Sequence, residues 1–158
     1  MSEVQPSSPL GGESSPSEVA WRQGDVFSLR EVFILADGGH SCHSVPHGVV
    51  LISQTCDVVL PDRVNVQVAP IVQLEGDVAR EARDGKRSRY VRLPQMGDGH
   101  FADLDIVCTV NKGSLKSLWV GSGVCGDVED RRFAGAVARR FGRFAFPDCV
   151  SDAMKVLR

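Results

Sequence analysis

The feature that most constrains the fold is a series of short apolar runs separated by turn-forming residues. Five such runs predict strands: residues 26–35, 48–53, 64–72, 89–93 and 104–110. No βαβ unit of about 30 residues recurs along the chain, so the strands follow one another through loops. This pattern favours a mainly β fold, a small antiparallel barrel, over a Rossmann-type sheet.

Two of these runs carry more specific information. Residues 48–53 (GVVLIS) form a continuous apolar run, which is typical of a strand buried on both faces. In the next run Val64, Val66 and Val68 alternate with polar residues, so one face should be buried. Pro70 lacks a backbone N–H, so we expect this strand to end, to bulge or to lie at an edge there.

The two ends of the chain differ in character. Residues 1–19 are rich in Ser, Pro and Gly and carry acidic side chains, which predicts a disordered acidic leader before a single domain at 20–158. The C-terminal third is predicted to be helical, with Asp127 or Asp130 as the cap. Its apolar stripe is Phe133, Val137, Phe141 and Phe144. A last helix is expected from Pro147, with the stripe Val150, Met154 and Leu157.

Composition limits the class of protein. The chain has 158 residues, a hydrophobic fraction of 42% and a net charge of -2, which are values of an ordinary globular domain. No apolar run approaches the roughly 20 residues of a transmembrane helix, and the N-terminus has no secretory signal pattern. The five cysteines therefore indicate a reducing cytoplasm and either free thiols or a metal site, not a disulfide framework.

A polar cluster, Ser53-Gln54-Thr55-Cys56-Asp57, directly follows the run predicted to be most buried. In a functional interpretation Thr55, Cys56 and Asp57 face a pocket, with Asp57 as a base or orienting group and Cys56 as a nucleophile or thiolate ligand. In the alternative, Asp57 caps a turn and Cys56 is a small buried apolar residue. We treat all three as candidate catalytic residues.

A histidine-rich loop precedes the same run. His40, Cys42, His43 and His47 lie within eight residues, and Cys56 could complete a tetrahedral zinc site. The spacing matches no standard zinc signature, so no cofactor is predicted, and a zinc site of Cys42, His43, His47 and Cys56 stays open as an alternative. His47 is instead a candidate acid or base for RNA cleavage, because an imidazole ordinarily has a pKa of about 6.5.

Residues 80–92 (REARDGKRSRYVR) are strongly basic around the turn Asp84-Gly85. In a hairpin these side chains would project from one end of the domain and contact phosphates, with Tyr90 available for stacking on a base. The alternative is a solvated hairpin tip. The candidate nucleic-acid contacts are Lys86, Arg87, Arg89, Tyr90, Arg92 and, beyond the fifth run, Lys112.

The order and spacing of three landmarks resemble the PemK/MazF family of toxin-type barrels over residues 21–141. The landmarks are the opening turn Arg22-Gln23-Gly24-Asp25-Val26, the strand Val49-Val50-Leu51-Ile52-Ser53 and the strand Val66-Gln67-Val68-Ala69-Pro70-Ile71. The resemblance implies a small SH3-like barrel, often a homodimer. It also implies ribosome-independent or tRNA-directed RNA cleavage, neutralised by a partner protein.

The chain departs from the family at its catalytic pair. The usual Arg falls near His47, and the usual Thr or Ser falls near Val72 or Gln73. Two hypotheses follow. The first is a toxin-type or defence-associated barrel that binds nucleic acid and acts as a metal-independent endoribonuclease. The second is a non-catalytic barrel that binds a partner, either an antitoxin-like protein or a subunit of a bacterial defence or regulatory complex.

Overall fold

The structure, a computed structural model, describes residues 20–142. The predicted leader at 1–19, Phe144 and the predicted last helix from Pro147 lie outside the described residues. The strands are β1 Asp25–Phe27, β2 Glu31–Ala36, β3 Gly39–Ser44, β4 Val49–Leu51, β5 Asn65–Gln73, β6 Tyr90–Arg92, β7 His100–Asp103, β8 Cys108–Asn111 and β9 Trp119–Ser122. The helices are α1 Thr55–Val58, α2 Gly76–Arg83, α3 Lys112–Leu115 and α4 Asp127–Phe141, with a 3-10 turn at Pro94–Met96.

The described part of the chain is mainly β, and every ladder in it is antiparallel. A seven-stranded sheet has the order β6-β7-β5-β4-β1-β9, with β8 also paired with β5, while β2 and β3 form a separate hairpin. The predicted antiparallel architecture is therefore confirmed. Between residues 20 and 142 the pairings leave β6 and β9 at opposite ends of the path, so closure into a barrel is not confirmed.

The central strand β5 passes through Pro70 without interruption. On one side β8 pairs with β5 from Asn65 to Val68, and β7 pairs with it only from Ile71 onward. The N–H of Ile71 donates to Gly48 on the opposite side, toward β4, so the missing N–H of Pro70 faces the gap between β8 and β7. A proline is tolerated there because neither neighbour needs its donor.

Two of the predicted runs are divided differently in the structure. Residues 26–35 become β1 and β2, which belong to separate sheets. Of residues 104–110 only the second half is strand, and β7, which the sequence pattern did not predict, precedes it. The pairing partner determines these limits, because β1 lies between β4 and β9 whereas β2 pairs with β3.

The core consists of two main apolar clusters, one on each face of the sheet. Phe133 and Val137 of α4 pack on one face and Leu115 of α3 packs on the other. Both α4 residues are buried, as the stripe predicts, but Phe141 is 53% exposed. It is the last residue of α4, where a cleft opens between helix and sheet. The predicted Asp cap of α4 is absent, because Gly126 occupies the N-cap position.

The basic segment differs from the predicted hairpin. The residues before Asp84 form α2, whose Ala79 and Ala82 are buried against Phe101. The turn therefore joins a helix to β6 rather than two strands. Helix α2 forms because its small apolar residues lie three apart and face the sheet together. In residues 20–142 no helix is long and apolar enough to cross a membrane.

Asp25 is a buried carboxylate at the start of β1. It accepts a hydrogen bond from the Arg22 N–H at 3.0 Å, and its side chain lies 3.9 Å from the Arg22 guanidinium. Burial raises the pKa of Asp25 above its ordinary value, although these contacts with Arg22 act in the opposite direction. A carboxyl group whose pKa is raised by folding stabilises the fold in its protonated form and loses that contribution once it ionises.

We therefore expect Asp25→Asn to change the pH dependence of stability. As pH rises from below the ordinary pKa of an aspartate side chain toward neutrality, the free energy of unfolding of the wild type should fall relative to that of Asp25→Asn. Urea unfolding at a series of pH values measures this difference. Asp98→Asn, at a side chain that is 84% exposed, is the control and should run parallel to the wild type. Parallel curves for Asp25→Asn would contradict the prediction.

Candidate functional site

The end of β5 brings two distant histidines together. Val49 pairs with Pro70, and the N–H of Ile71 donates to the carbonyl of Gly48 at 3.0 Å. Continuing this antiparallel register places His47 beside Val72. On the other side of β5, His100 pairs with Gln73. The strand therefore holds one histidine along each edge.

The two imidazole rings are in contact. Their centroids lie 5.1 Å apart at an interplanar angle of 77°, an edge-to-face arrangement. Nδ1 of His100 is buried, and within residues 20–142 it has no hydrogen-bond partner. This leaves Nε2 as the nitrogen of His100 that can exchange a proton with another molecule.

One member of this pair, His47, lines a space that we name the histidine cavity, and His100 contacts His47 from outside its lining. The cavity has a volume of about 310 Å³ and lies between the end of β3, the loop before β4 and the end of β5. His43, His47, Val72 and Gln73 are among its lining residues. Both positions at which the sequence departs from the PemK/MazF pattern, His47 and Val72 or Gln73, therefore line the same cavity.

Arg30 lies next to a lining residue of this cavity without lining it. Its Nη1 donates a hydrogen bond to the carbonyl oxygen of Pro46, the residue before His47. Arg30 is exposed, and in the described part of the chain no carboxylate forms an ion pair with its guanidinium. The guanidinium retains donors for an anion such as a phosphate.

A second and larger space, which we name the α4 cleft, has a volume of about 830 Å³. It lies between α4 and the part of the sheet formed by the residues after β4, the start of β5 and β8. Asp57 and Arg63 line it together with the side chains of Asn65 and Gln67. The cleft contacts β5 at residues 65–67 and the histidine cavity contacts it at residues 70–73, so the two spaces are separate.

The four predicted catalytic residues do not share one cavity. His47 lines the histidine cavity and Asp57 lines the α4 cleft. The hydroxyl of Thr55 accepts a hydrogen bond from the Gln23 N–H at 3.1 Å, and the exposed Cys56 thiol lies 3.5 Å from Oε1 of Gln54. Residues 55–58 form α1, so Asp57 is in a helical turn at the rim of the cleft.

Most of the side chains predicted to contact nucleic acid have partners within the protein. Arg89 binds the buried Asp103 through two hydrogen bonds, Nε to Oδ1 at 2.7 Å and Nη2 to Oδ2 at 2.6 Å. These bonds raise the pKa of Arg89. The Arg89 guanidinium also lies over the ring of Tyr90, 5.1 Å from its centroid. With these contacts Arg89 holds the start of β6 against β7, and few of its N–H groups remain free to bind a phosphate.

The remaining predicted cations follow the same pattern. Lys112 donates to the carbonyl of Leu60 at 2.8 Å, away from the basic segment. The ion pairs are Lys86 with Asp84 at 3.6 Å, Arg87 with Glu81 at 2.7 Å and Arg92 with Asp98 at 3.4 Å. These exposed pairs are weak and an RNA phosphate could compete for them, so the predicted contacts remain predictions.

The zinc hypothesis requires Cys42, His43, His47 and Cys56 to meet. His43 pairs instead with Ser41, its Nε2 lying 3.1 Å from the hydroxyl oxygen. Among residues 20–142 no three His, Cys, Asp or Glu side chains form a group that could hold a metal ion. The structure does not assemble this set.

Three residues that the sequence did not indicate line or adjoin these spaces: Arg63 lines the α4 cleft, His100 contacts His47, and Arg30 bonds to Pro46. All three lie outside the polar, histidine-rich and basic segments of the sequence. Of the four histidines in the chain, His100 is the one far from the other three. Nothing else in the sequence around it indicates a functional role. The pairing of β5 with β7 brings His100 into contact with His47. The periodicity of apolar residues does not predict which strands pair.

Neither family models nor curated proteins show a relative of this chain by sequence. The chain matches no protein-family model, and no curated protein matches it significantly. Among solved structures it is similar to an endoribonuclease from a mycobacterial species, with 13% identity and a TM-score of 0.47, over 84% of this chain and 100% of that one. A TM-score of 0.47 does not establish a shared fold.

Proposed function

We propose that this protein cleaves single-stranded RNA without a metal ion at the histidine cavity, as a toxin-type or defence-associated endoribonuclease. The observation that carries the proposal is the ring contact between His100 and His47, which lines the cavity. Arg30 is hydrogen-bonded to Pro46, the neighbouring lining residue. The toxin-type assignment comes from the PemK/MazF resemblance. An antitoxin-like protein partner and a homodimer are part of the same proposal.

The chemistry requires one base and one acid. One imidazole accepts the proton of a ribose 2′-hydroxyl, whose oxygen forms a bond to the adjacent phosphorus. The bond from phosphorus to the 5′-oxygen breaks, and the second imidazole donates a proton to that oxygen. The products are a 2′,3′-cyclic phosphate and a 5′-hydroxyl, so atoms and charge balance without water or an oxidant. In this proposal Arg30 stabilises the charge that develops on the phosphate.

The experiment is cleavage of labelled single-stranded RNA by the full chain, with and without EDTA. We expect cutting in EDTA, no cutting of DNA of the same sequence because it lacks the 2′-hydroxyl, and a cyclic phosphate at the new end. His47→Ala should reduce the rate more than tenfold further than Asp57→Ala does. A larger loss in Asp57→Ala, or cutting that EDTA abolishes, would overturn the proposal.

A second candidate function is binding of a partner protein without catalysis. The observation that favours it is the outer face of the β2–β3 hairpin, where Phe33 is 66% exposed and Leu35 is 79% exposed. These two side chains lie on one face of β2, because they are two residues apart. The opposite face of β2 packs on the core through Val32 and Ile34, so the exposed pair is available to a partner protein. Absence of RNA cleavage under every condition above would favour this function.

A further inference from the structure

The α4 cleft has side chains suited to the edge of a nucleobase. Asn65 and Gln67 lie two residues apart on β5, so their amides project from the same face of the strand. Within residues 20–142 neither side-chain amide has a hydrogen-bond partner. A primary amide presents a donor beside an acceptor, which matches the paired donor and acceptor groups on a base edge.

The opposite wall of the cleft, formed by α4, consists of small residues and one aromatic side chain. Ala134, Gly135 and Ala138 of α4 face the cleft, and their small side chains leave space between the helix and the sheet. Phe141 also lines the cleft and is 53% exposed. An exposed phenyl ring in a cleft is a surface on which a base can stack.

Two arginines bring positive charge to the cleft. Arg63 lines it, and a Cβ atom on Gly135 would lie 3.3 Å from Nη1 of Arg139, so the Arg139 guanidinium lies over the helical wall. In the described part of the chain neither arginine forms an ion pair, in contrast to Arg87, Arg89 and Arg92. Asp57 is the one carboxylate among the lining residues. The charge therefore favours an anion.

We propose that the α4 cleft binds a nucleotide, with its base against Asn65, Gln67 and Phe141 and its phosphate against Arg63 and Arg139. The volume of about 830 Å³ lies within the range of small-molecule sites. The nucleotide is either a free mononucleotide or one residue of a single strand, since both present the same base and phosphate. This site shares no lining residue with the histidine cavity and does not depend on the proposed cleavage.

The test is calorimetric titration of the full chain with AMP, GMP, CMP and UMP, and with five-residue 2′-O-methyl oligonucleotides, which cannot react through the 2′-oxygen. We expect at least one ligand to bind, and Arg63→Ala and Phe141→Ala each to weaken it tenfold or more. Both residues are exposed, so their substitution should leave the midpoint of thermal unfolding unchanged. Arg83→Ala, an exposed arginine of α2 outside the cleft, is the matched control and should bind as the wild type does.

The outcomes distinguish a free mononucleotide from a single strand as the ligand, and binding in the α4 cleft from cleavage at the histidine cavity. Binding of a mononucleotide identifies a free nucleotide as ligand, whereas binding of the oligonucleotide alone identifies a single strand. His47→Ala should bind as tightly as the wild type, so loss of cleavage with intact binding leaves this inference standing. Absence of binding for every ligand, or equal weakening by Arg63→Ala and Arg83→Ala, would overturn it.

Discussion

His100→Ala should lower the rate of RNA cleavage by about 10²–10⁴-fold, the usual range for loss of a general acid or base. His47→Ala should cause a loss of similar size, because the two imidazoles act on one phosphodiester. The double variant should be little worse than either single one, since groups that act as a unit are not additive. Single-turnover cleavage of a short RNA, with thermal unfolding measured in parallel, checks these rates.

The control for this prediction is His40→Ala. His40 is an exposed residue at the tip of the β2–β3 hairpin and lies outside the histidine cavity, so its loss should leave the rate unchanged. A pH profile adds a readout that a merely structural role would not affect. With one imidazole acting as base and the other as acid, the wild-type rate should decline on both the acidic and the alkaline side. A single limb in the wild type, or full activity in His100→Ala, would contradict the assigned pair.

Gly48→Ala should be among the most destabilising single substitutions in the chain, with a loss of about 4 kcal/mol or more in the free energy of unfolding. Gly48 has φ +83, and a Cβ atom there would lie 2.3 Å from the carbonyl oxygen of Phe27. That oxygen belongs to the backbone of β1, which pairs with β4, so relief of the clash requires the two strands to separate. Urea unfolding measures the loss.

Gly85→Ala is the matched control. Gly85 has a similar φ of +73, but a Cβ atom there would meet nothing within 4 Å. Its substitution carries only the backbone strain of the left-handed region, about 1–2 kcal/mol. The difference between the two variants isolates the clash with Phe27. Equal losses in both would show that the approach of β1 to Gly48 is not tight.

The sequence alone predicted the strands where apolar patterning is strong. The run at 48–53 and the alternating run at 64–72 both contain strands, because burial of one face or both faces leaves a mark in the pattern. Helix α4 was predicted for the same reason, and its Phe133 is buried as expected. At Pro70 we expected the strand to end, to bulge or to lie at an edge, but β5 continues through it. The gap between β8 and β7 at this point, where no donor is needed, depends on two neighbouring strands.

The candidate sites were predicted only in part. His47 and Asp57 stood out because each flanks a buried strand, and each lines a space in the structure. The basic segment also stood out, yet Arg89 is engaged by Asp103 of β7, a strand that the pattern did not reveal. A sequence shows which side chains carry charge, but only their neighbours decide which charges remain available to a ligand.

The sequence by itself determined the class of the fold, because alternation and apolar runs are local consequences of burial. It also determined the residues that can act as acid, base or cation. The tertiary structure decided which of them meet, since the contact between His47 and His100 depends on β5 pairing with β7 along one edge and running beside the loop before β4 along the other. Pairings between strands distant in the chain arise from the packing of the whole sheet, and no local pattern encodes them.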